Sequence, residues 1–173
     1  MVALKLCSAE DIPAIREVAL QSYKEHYLYL WTEQRFAEWY MNKSFSITSL
    51  TEQMKNEEAL FYLVTTNGKA IGFIKLNKNK PLPGDDAVNS IELERIYLLK
   101  AFSGKGIGTE VLQMIIDKSK EEGKRVLWLK SMDSSDSLFF YQKRGFVQTA
   151  KESLPFEGFK DEYRTLVTLR LDL

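Results

Sequence analysis

Residues 90–110, which read SIELERIYLLKAFSGKGIGTE, combine three local patterns in direct succession. The first is an apolar, partly β-branched run that includes Ile91 and Leu93 and is typical of an inner strand. Glycines follow at alternate positions, and Val111 and Ile115 then recur at helical spacing. A glycine-rich turn between a strand and a helix lets backbone N–H groups approach an anion, with the positive end of the helix dipole behind them. The sequence therefore predicts a phosphate or pyrophosphate site at this turn.

Several common phosphate-binding loops can be compared with this turn. A P-loop is excluded because no glycine at the required spacing is followed by Lys-Ser or Lys-Thr. The dinucleotide pattern G-x-G-x-x-G fails because the sixth position is Thr109 counted from Gly104, or Val111 counted from Gly106. A kinase loop fails for the same reason. Residues 103–108 do fit the pattern Gln/Arg-x-x-Gly-x-Gly/Ala, except that Ser stands at the first position. In this they resemble the pyrophosphate loop of the GNAT acetyltransferases.

Residues 134–146, SSDSLFFYQKRGF, resemble a second GNAT signature, Asn-x-x-Ala-x-x-Phe-Tyr-x-Lys-x-Gly-Phe. Two signatures in the family's order are more specific than either alone. Within the superfamily, the phrases ELERIY and FYQKRGFVQT resemble the PaiA-type spermine/spermidine acetyltransferases. In the second signature Phe140, Tyr141, Lys143, Gly145 and Phe146 match, whereas Ser134 and Ser137 replace the usual Asn and Ala.

The resemblance implies a single GNAT domain over residues 1–173, of α/β (α+β) class. Its mixed, mostly antiparallel central sheet has about seven strands, is flanked by helices and is splayed at the acetyl-CoA strand. The implied activity is that of an acyltransferase that moves an acetyl group from acetyl-CoA to a primary amine, with a polyamine such as spermidine or spermine as acceptor. Acetylation of a protein N-terminus or lysine, and a non-catalytic acyl-CoA-binding regulator, remain alternatives.

By resemblance, the main chains of Ile96 and Leu98 bind the pantetheine arm, and residues 104–109 bind the pyrophosphate. The full set of cosubstrate contacts implied in this way is Ile96, Tyr97, Leu98, Ser103, Gly104, Lys105, Gly106, Ile107, Gly108, Thr109, Ser134, Ser137, Phe140, Tyr141 and Lys143.

The same resemblance makes Tyr141 the general acid for the leaving thiolate, and a phenol with a reference pKa of about 10 is protonated at neutral pH. The alternative is a packed aromatic residue with its hydroxyl near the cosubstrate. A base is also needed, because deprotonating an alkyl ammonium at pH 7 costs roughly 4–5 kcal/mol. Glu92 and Glu94 alternate along the strand and so are expected to share a face. Either can act directly or through water, or form a structural ion pair, for example with Arg95.

The amino-acid composition argues against several other classes of function. Lys plus Arg and Asp plus Glu both number 24, so no basic surface for nucleic acid or membrane is predicted. Cys7 and His26 are single residues of their types, which excludes an internal disulfide and argues against a metal site. The first residues lack a signal-peptide pattern and no apolar run has membrane-spanning length, so a cytoplasmic protein is expected. A homodimer is left open.

Local patterns predict the remaining elements, including a hairpin turn at Asn67-Gly68. The aromatic-rich stretch 23–40 is interpreted either as core or as cleft lining, and His26 as structural rather than catalytic. Predicted helices cover residues 8–23, 32 onwards, 46–55, 109–119 and 135–143, and predicted strands cover 2–6, 59–65, 70–76, 90–99, 126–129, 146–150 and 163–171. Acidic residues available for a polycation are Glu25, Glu33, Glu38, Glu157, Asp161 and Glu162.

Overall fold

In the computed structural model, which describes residues 1–173, seven strands form one sheet in the order β1-β2-β3-β4-β5-β7-β6. All neighbouring strands are antiparallel except β4 and β5. The fold class predicted from the sequence is therefore confirmed. The strands are β1 Val2–Leu6, β2 Ala59–Thr66, β3 Lys69–Lys78, β4 Ser90–Leu98, β5 Val126–Met132, β6 Val147–Ser153 and β7 Thr165–Asp172, and the helices are α1 Ile12–Tyr27, α2 Gln34–Phe45, α3 Ile47–Met54, α4 Ile107–Glu121 and α5 Asp136–Gln142.

The one parallel pair separates partway along its length. β4 and β5 are in register only from Ser90 to Leu93, which lies opposite Leu129. Beyond that point β5 continues to pair with β7, whereas the corresponding edge of β4 has no strand beside it. This opening is the predicted splay, and it leaves a gap in the middle of the sheet.

Helices cover both faces of the sheet. One face packs against α4 and α5 around a core that includes Ile91, Leu112 and Leu127, each fully buried. The other face packs against α1, α2 and α3 around Phe45 and Phe73. Burial of these side chains is the main stabilising contribution. The longest helix, α1, has 16 residues, and no helix combines the length and apolarity that a membrane crossing requires.

Several predicted boundaries are corrected by tertiary contacts. The Asn67-Gly68 turn is confirmed, with positive φ at both positions as a type I′ hairpin requires. α1 extends beyond Tyr23 to Tyr27, because the two rings pack 5.2 Å apart and continue the buried face. Thr32 does not cap α2; its N–H and hydroxyl instead bind the carbonyl of Gly158, at 2.8 and 3.1 Å.

Candidate active site

The gap between β4 and β5 opens into a cleft with a volume of about 530 Å³. Residues 93–97 of β4 form one wall and residues 129–132 of β5 form the other. Ser134, just before α5, and Ser137, in its first turn, also line the cleft, and Tyr141 follows one helical turn after Ser137. The cleft thus joins β4 to the second signature.

The free edge of β4 presents main-chain groups to this cleft. The N–H of Leu99 donates to the carbonyl of Ile71 at 2.9 Å, so Leu99 and Tyr97 direct their main-chain groups toward β3. In an antiparallel ladder the intervening residues point the other way. Ile96 and Leu98 therefore direct theirs toward the open side. The carbonyl of Leu98 is already bound by side chains of α1, which leaves its N–H as the free group.

The turn after β4 is an anion cradle built from the backbone. Gly104 and Gly106 have φ of 73° and 81°, in the left-handed region that favours glycine. None of the five successive N–H groups from Gly104 to Gly108 donates a hydrogen bond within the protein. α4 begins at Ile107, two residues before the predicted start, so Gly108 lies in its first turn. Unpaired donors at a helix N-terminus fit a pyrophosphate.

The second signature packs directly against this loop. Atoms of the Phe140 ring lie 3.8 and 3.9 Å from the position that a Cβ at Gly108 would occupy. Lys143 turns away, and its Nζ lies 4.3 Å from the centre of the exposed Phe139 ring. Since CoA contact by Lys143 was predicted only by resemblance, it stays a prediction.

Arg144, which stands at a variable position of the second signature, faces the loop instead. Its Nη1 donates to the Phe140 carbonyl at 2.8 Å, and its Nη2 donates to the Thr109 hydroxyl. Its guanidinium lies 3.7 Å from the centre of the Phe140 ring. Arg144 lies in the turn just after α5, and the available signal was its position four residues after Phe140, close enough along the chain to reach the Phe140 carbonyl.

Tyr141 is 7% exposed and packs between Phe140 and Phe146, with ring centres 5.2 and 5.5 Å away. The only side-chain polar atom that is fully buried without a partner is Nε of Arg144. The Tyr141 hydroxyl has no partner in the protein either, so it must reach open space, which is the cleft. Burial raises the pKa of this phenol well above its ordinary value. The hydroxyl is therefore a protonated donor at neutral pH.

Glu92 and Glu94 lie together, joined by Asn77, whose Nδ2 donates to both carboxylates at 2.5 and 2.6 Å. Glu92 is only 5% exposed, is paired with Lys80 at 2.5 Å and does not line the cleft. Glu94 does line the cleft. The two candidate bases therefore differ in access to a substrate.

Glu94 is also held by cations. Lys75 Nζ lies 2.7 Å and Arg95 Nη2 3.4 Å from its carboxylate oxygens. Burial acts to raise the pKa of Glu94, but the Arg95 charge and the bonds from Lys75 and Asn77 outweigh it and lower that pKa. Both carboxylates thus form structural ion pairs, which was the alternative to a role as the base. Glu94 is an anion at the edge of the cleft.

The aromatic-rich stretch of residues 23–40 contributes both to the core and to the lining of the cleft. Trp31 is buried and its indole N–H donates to the Tyr23 hydroxyl at 2.9 Å, whereas Tyr27 and Tyr29 line the cleft. None of the six acidic residues expected to attract a polycation lines the cleft; its carboxylates are those of Glu94 and Asp136. Four of the six are bonded within the protein, since Glu25 accepts from the Lys100 N–H, Glu33 from Arg35, Glu38 from Gln34 and Asp161 from Arg164.

Comparisons with known proteins identify the family of this chain. A profile of the acetyltransferase (GNAT) family matches residues 15–146. An uncharacterized N-acetyltransferase of Lactobacillus delbrueckii subsp. lactis is 27% identical over 110 residues, or 63% of this chain and 64% of the relative. The chain therefore spans less than two thirds of that relative's length. A spermidine N(1)-acetyltransferase of Thermoplasma acidophilum is 26% identical over 150 residues, or 84% and 88% of the two chains.

A solved structure shows the same fold. The PaiA N-acetyltransferase of Thermoplasma acidophilum, crystallised in complex with coenzyme A, superposes with a TM-score of 0.76 at 22% sequence identity. The superposition covers 100% of this chain and 99% of the other. At this level of identity the likeness concerns the arrangement of strands and helices.

Proposed function

The chain belongs to the acetyltransferase (GNAT) family, and we propose that it is an enzyme that transfers an acetyl group from acetyl-CoA to a primary amine. The observation that carries the proposal is a cleft lined by the unpaired edge of β4 and by Tyr141, with a loop of free N–H groups in the turn that follows the same strand. A strand edge suits an amide-containing pantetheine arm, and the loop suits a pyrophosphate. Neither feature is needed for folding alone.

Acetyl-CoA would be held by the main chain of β4 and by the loop. The free main-chain groups of Ile96 and the N–H of Leu98 are the partners for pantetheine, and the N–H groups of residues 104–108 are the partners for pyrophosphate. Lys105, in the exposed part of the loop, adds positive charge. The chemistry that the bound cosubstrate supplies is an activated acetyl thioester.

Tyr141 is proposed as the residue that donates its proton to the departing thiolate sulfur. Its hydroxyl is the only group on α5 that is buried against the core and yet opens to the cleft without a protein acceptor. Glu94 is proposed as the carboxylate that attracts and orients the substrate ammonium. Because its pKa is lowered, Glu94 stays ionised, which favours passing the amine proton through water over holding it.

A polyamine such as spermidine or spermine is proposed as the acceptor. The spermidine N(1)-acetyltransferase relative supports this choice at low identity. Within the cleft, the faces of Tyr27 and Tyr29 offer cation–π contacts to an ammonium group, and Glu94 and Asp136 offer charge. The geometry therefore fits a flexible amine with one ammonium at Glu94 and the remainder along the tyrosines.

The test of this function is thiol release from acetyl-CoA across an amine panel of spermidine, spermine, lysine, aminoglycosides and short peptides. We expect turnover of spermidine or spermine by the wild-type protein. Glu94→Gln removes the anion but keeps the shape, so we expect kcat/KM for the amine to fall about tenfold. A larger fall in kcat/KM for Glu92→Gln than for Glu94→Gln would assign the orienting role to Glu92. Binding of acetyl-CoA without turnover of any amine would refute the enzyme and leave a non-catalytic acyl-CoA-binding regulator.

Two loop glycines provide a matched test of the anion cradle. An alanine at Gly106 would have free space but would be forced into left-handed backbone, at a cost of about 1–2 kcal/mol, or would reshape the loop. Gly106→Ala should therefore weaken acetyl-CoA binding about tenfold. Gly108→Ala adds only ordinary contacts of 3.8 Å or more in a helical turn and should bind as wild type. Calorimetric titration with acetyl-CoA measures both, and equal affinities of the two variants would argue against the cradle.

A further inference from the structure

Three side chains on one face of α1 hold the segment that joins β4 to the glycine-rich loop of residues 103–108, called the anion loop below. Ser22 Oγ donates to the carbonyl of Leu98 at 3.0 Å, and Nε2 of His26 lies 3.1 Å from the same oxygen. Because a carbonyl only accepts, this nitrogen carries a proton. The N–H of Lys100 donates to Glu25 Oε2 at 2.7 Å. Ser22, Glu25 and His26 are called the α1 clamp below.

The spacing of the clamp follows from helix geometry. Positions i, i+3 and i+4 fall on one face of a helix, so Ser22, Glu25 and His26 reach one short stretch of chain together. Ser22 is fully buried on the α1 side, and it reaches the main chain of Leu98, whose side chain packs with the α4 core. The contact is therefore part of the packed interior rather than a mobile surface bond.

The clamp acts where the sheet offers no partner. Beyond Leu93 the edge of β4 has lost β5, so the carbonyl of Leu98 faces the gap without a strand to donate to it. An unsatisfied carbonyl there would let the end of β4 move. Two side-chain donors take the place of the missing strand. Fixing the Lys100 N–H then sets the start of the short helical turn Lys100–Phe102, which leads into the glycines.

We propose that Ser22, Glu25 and His26 are positioning residues that preorganise the anion loop for acetyl-CoA. The loop's N–H groups bind well only if they converge before the ligand arrives, because ordering them on binding would cost conformational entropy. The clamp supplies that order from α1, a helix outside both sequence signatures. The same helix lines the cleft through Tyr23, His26 and Tyr27, so one element sets both the loop and the wall of the acceptor site. This inference rests on the acetyl-CoA site proposed above.

The test measures acetyl-CoA affinity directly, by calorimetric titration without an amine. The double variant Ser22→Ala/His26→Ala leaves the Leu98 carbonyl without a donor, and we expect its dissociation constant to rise about tenfold. The single variant His26→Gln retains an amide donor for the Leu98 carbonyl, so it should keep most of the wild-type affinity for acetyl-CoA. Lys24→Ala, an exposed change on the same turn of α1, should bind as wild type.

Steady-state kinetics separate positioning from a general loss of structure. The double variant and Glu25→Ala should both raise the KM for acetyl-CoA, while kcat at saturating acetyl-CoA stays within about twofold. Because Glu25 does not line the cleft, the KM for the amine should also stay within about twofold in Glu25→Ala. If the double variant does not fold, two variants at the less buried Glu25 replace it. Glu25→Ala removes the acceptor for the Lys100 N–H and should weaken acetyl-CoA binding. Glu25→Gln retains an acceptor and should bind as wild type. Wild-type affinity in Glu25→Ala and in the double variant would overturn the proposal. A wild-type protein that binds no acetyl-CoA would instead refute the proposed function.

Discussion

Tyr141→Phe is expected to lower kcat by about 10²- to 10³-fold, within the range that general-acid catalysis contributes. The substitution removes only a hydroxyl that has no hydrogen bond within the protein. The ring contacts with Phe140 and Phe146 remain, so the free energy of unfolding should change little. The KM for acetyl-CoA should also stay near wild type, because the proposed binding contacts lie on β4 and the loop. The loss should therefore appear in kcat alone.

Tyr62 provides the matched control for this variant. It has the same 7% exposure as Tyr141 and belongs to the same core cluster, but it lies on β2 away from the cleft. Tyr62→Phe should keep the wild-type kcat. If Tyr141→Phe did so too, Tyr141 would be a packing residue, which is the alternative that its sequence position allowed.

The pH dependence of kcat tests the same assignment. Burial disfavours the charged phenolate, so it raises the pKa of Tyr141 and the donor form persists to higher pH than for an exposed tyrosine. We therefore expect no fall in kcat from ionisation of this residue as pH rises from 8 to about 10, the ordinary pKa of a tyrosine. A descending limb in that interval that is present in the wild type and absent in Tyr141→Phe would contradict the raised pKa, while it would still identify Tyr141 as the acid.

The anion loop was predictable because it depends on backbone conformation alone. Left-handed φ at Gly104 and Gly106 and a helix start just after them are properties that glycine spacing and apolar periodicity reveal directly. The order of the two signatures then indicated the topology. Contacts such as Phe140 against Gly108 follow once both segments are in place.

The face of the sheet to which each β4 side chain points could not be predicted from the sequence in the same way. The pairing shifts by one residue between Lys75 and Leu76 of β3, so Glu94 is an extra residue on β4. Strict alternation would put Ile96 on the face of Glu94, yet Ile96 packs with the α4 core and Tyr97 packs against the α1 side. A bulge depends on how two strands pair, which the sequence of one strand does not contain. The ion pairs of Glu92 and Glu94 also arise from β3 and its loop, far away in sequence.

Gly72→Ala should cause the largest loss of stability among the variants considered, because β3 and β4 approach each other closely at this residue. Gly72 lies opposite Leu98, at the end of the splayed strand. A Cβ there would lie 2.3 Å from the Tyr97 carbonyl oxygen and 2.6 Å from Cδ2 of Leu98. A side chain can rotate away, but a main-chain oxygen in a sheet cannot, so the two strands would have to separate.

We expect the free energy of unfolding of Gly72→Ala to fall by about 3 kcal/mol, the upper part of the usual range for overpacking, which corresponds to a decrease in Tm of roughly 6–12 °C. Differential scanning calorimetry measures it. Gly108→Ala is the matched control, because its Cβ meets atoms only at 3.8 Å or beyond and alanine favours the helix. Displacement of β4 at Leu98 should also weaken acetyl-CoA binding, since the Leu98 carbonyl is the one that Ser22 holds. Equal Tm values for the two alanine variants would mean that β4 can shift at little cost, and the strand edge would then be adaptable rather than preorganised.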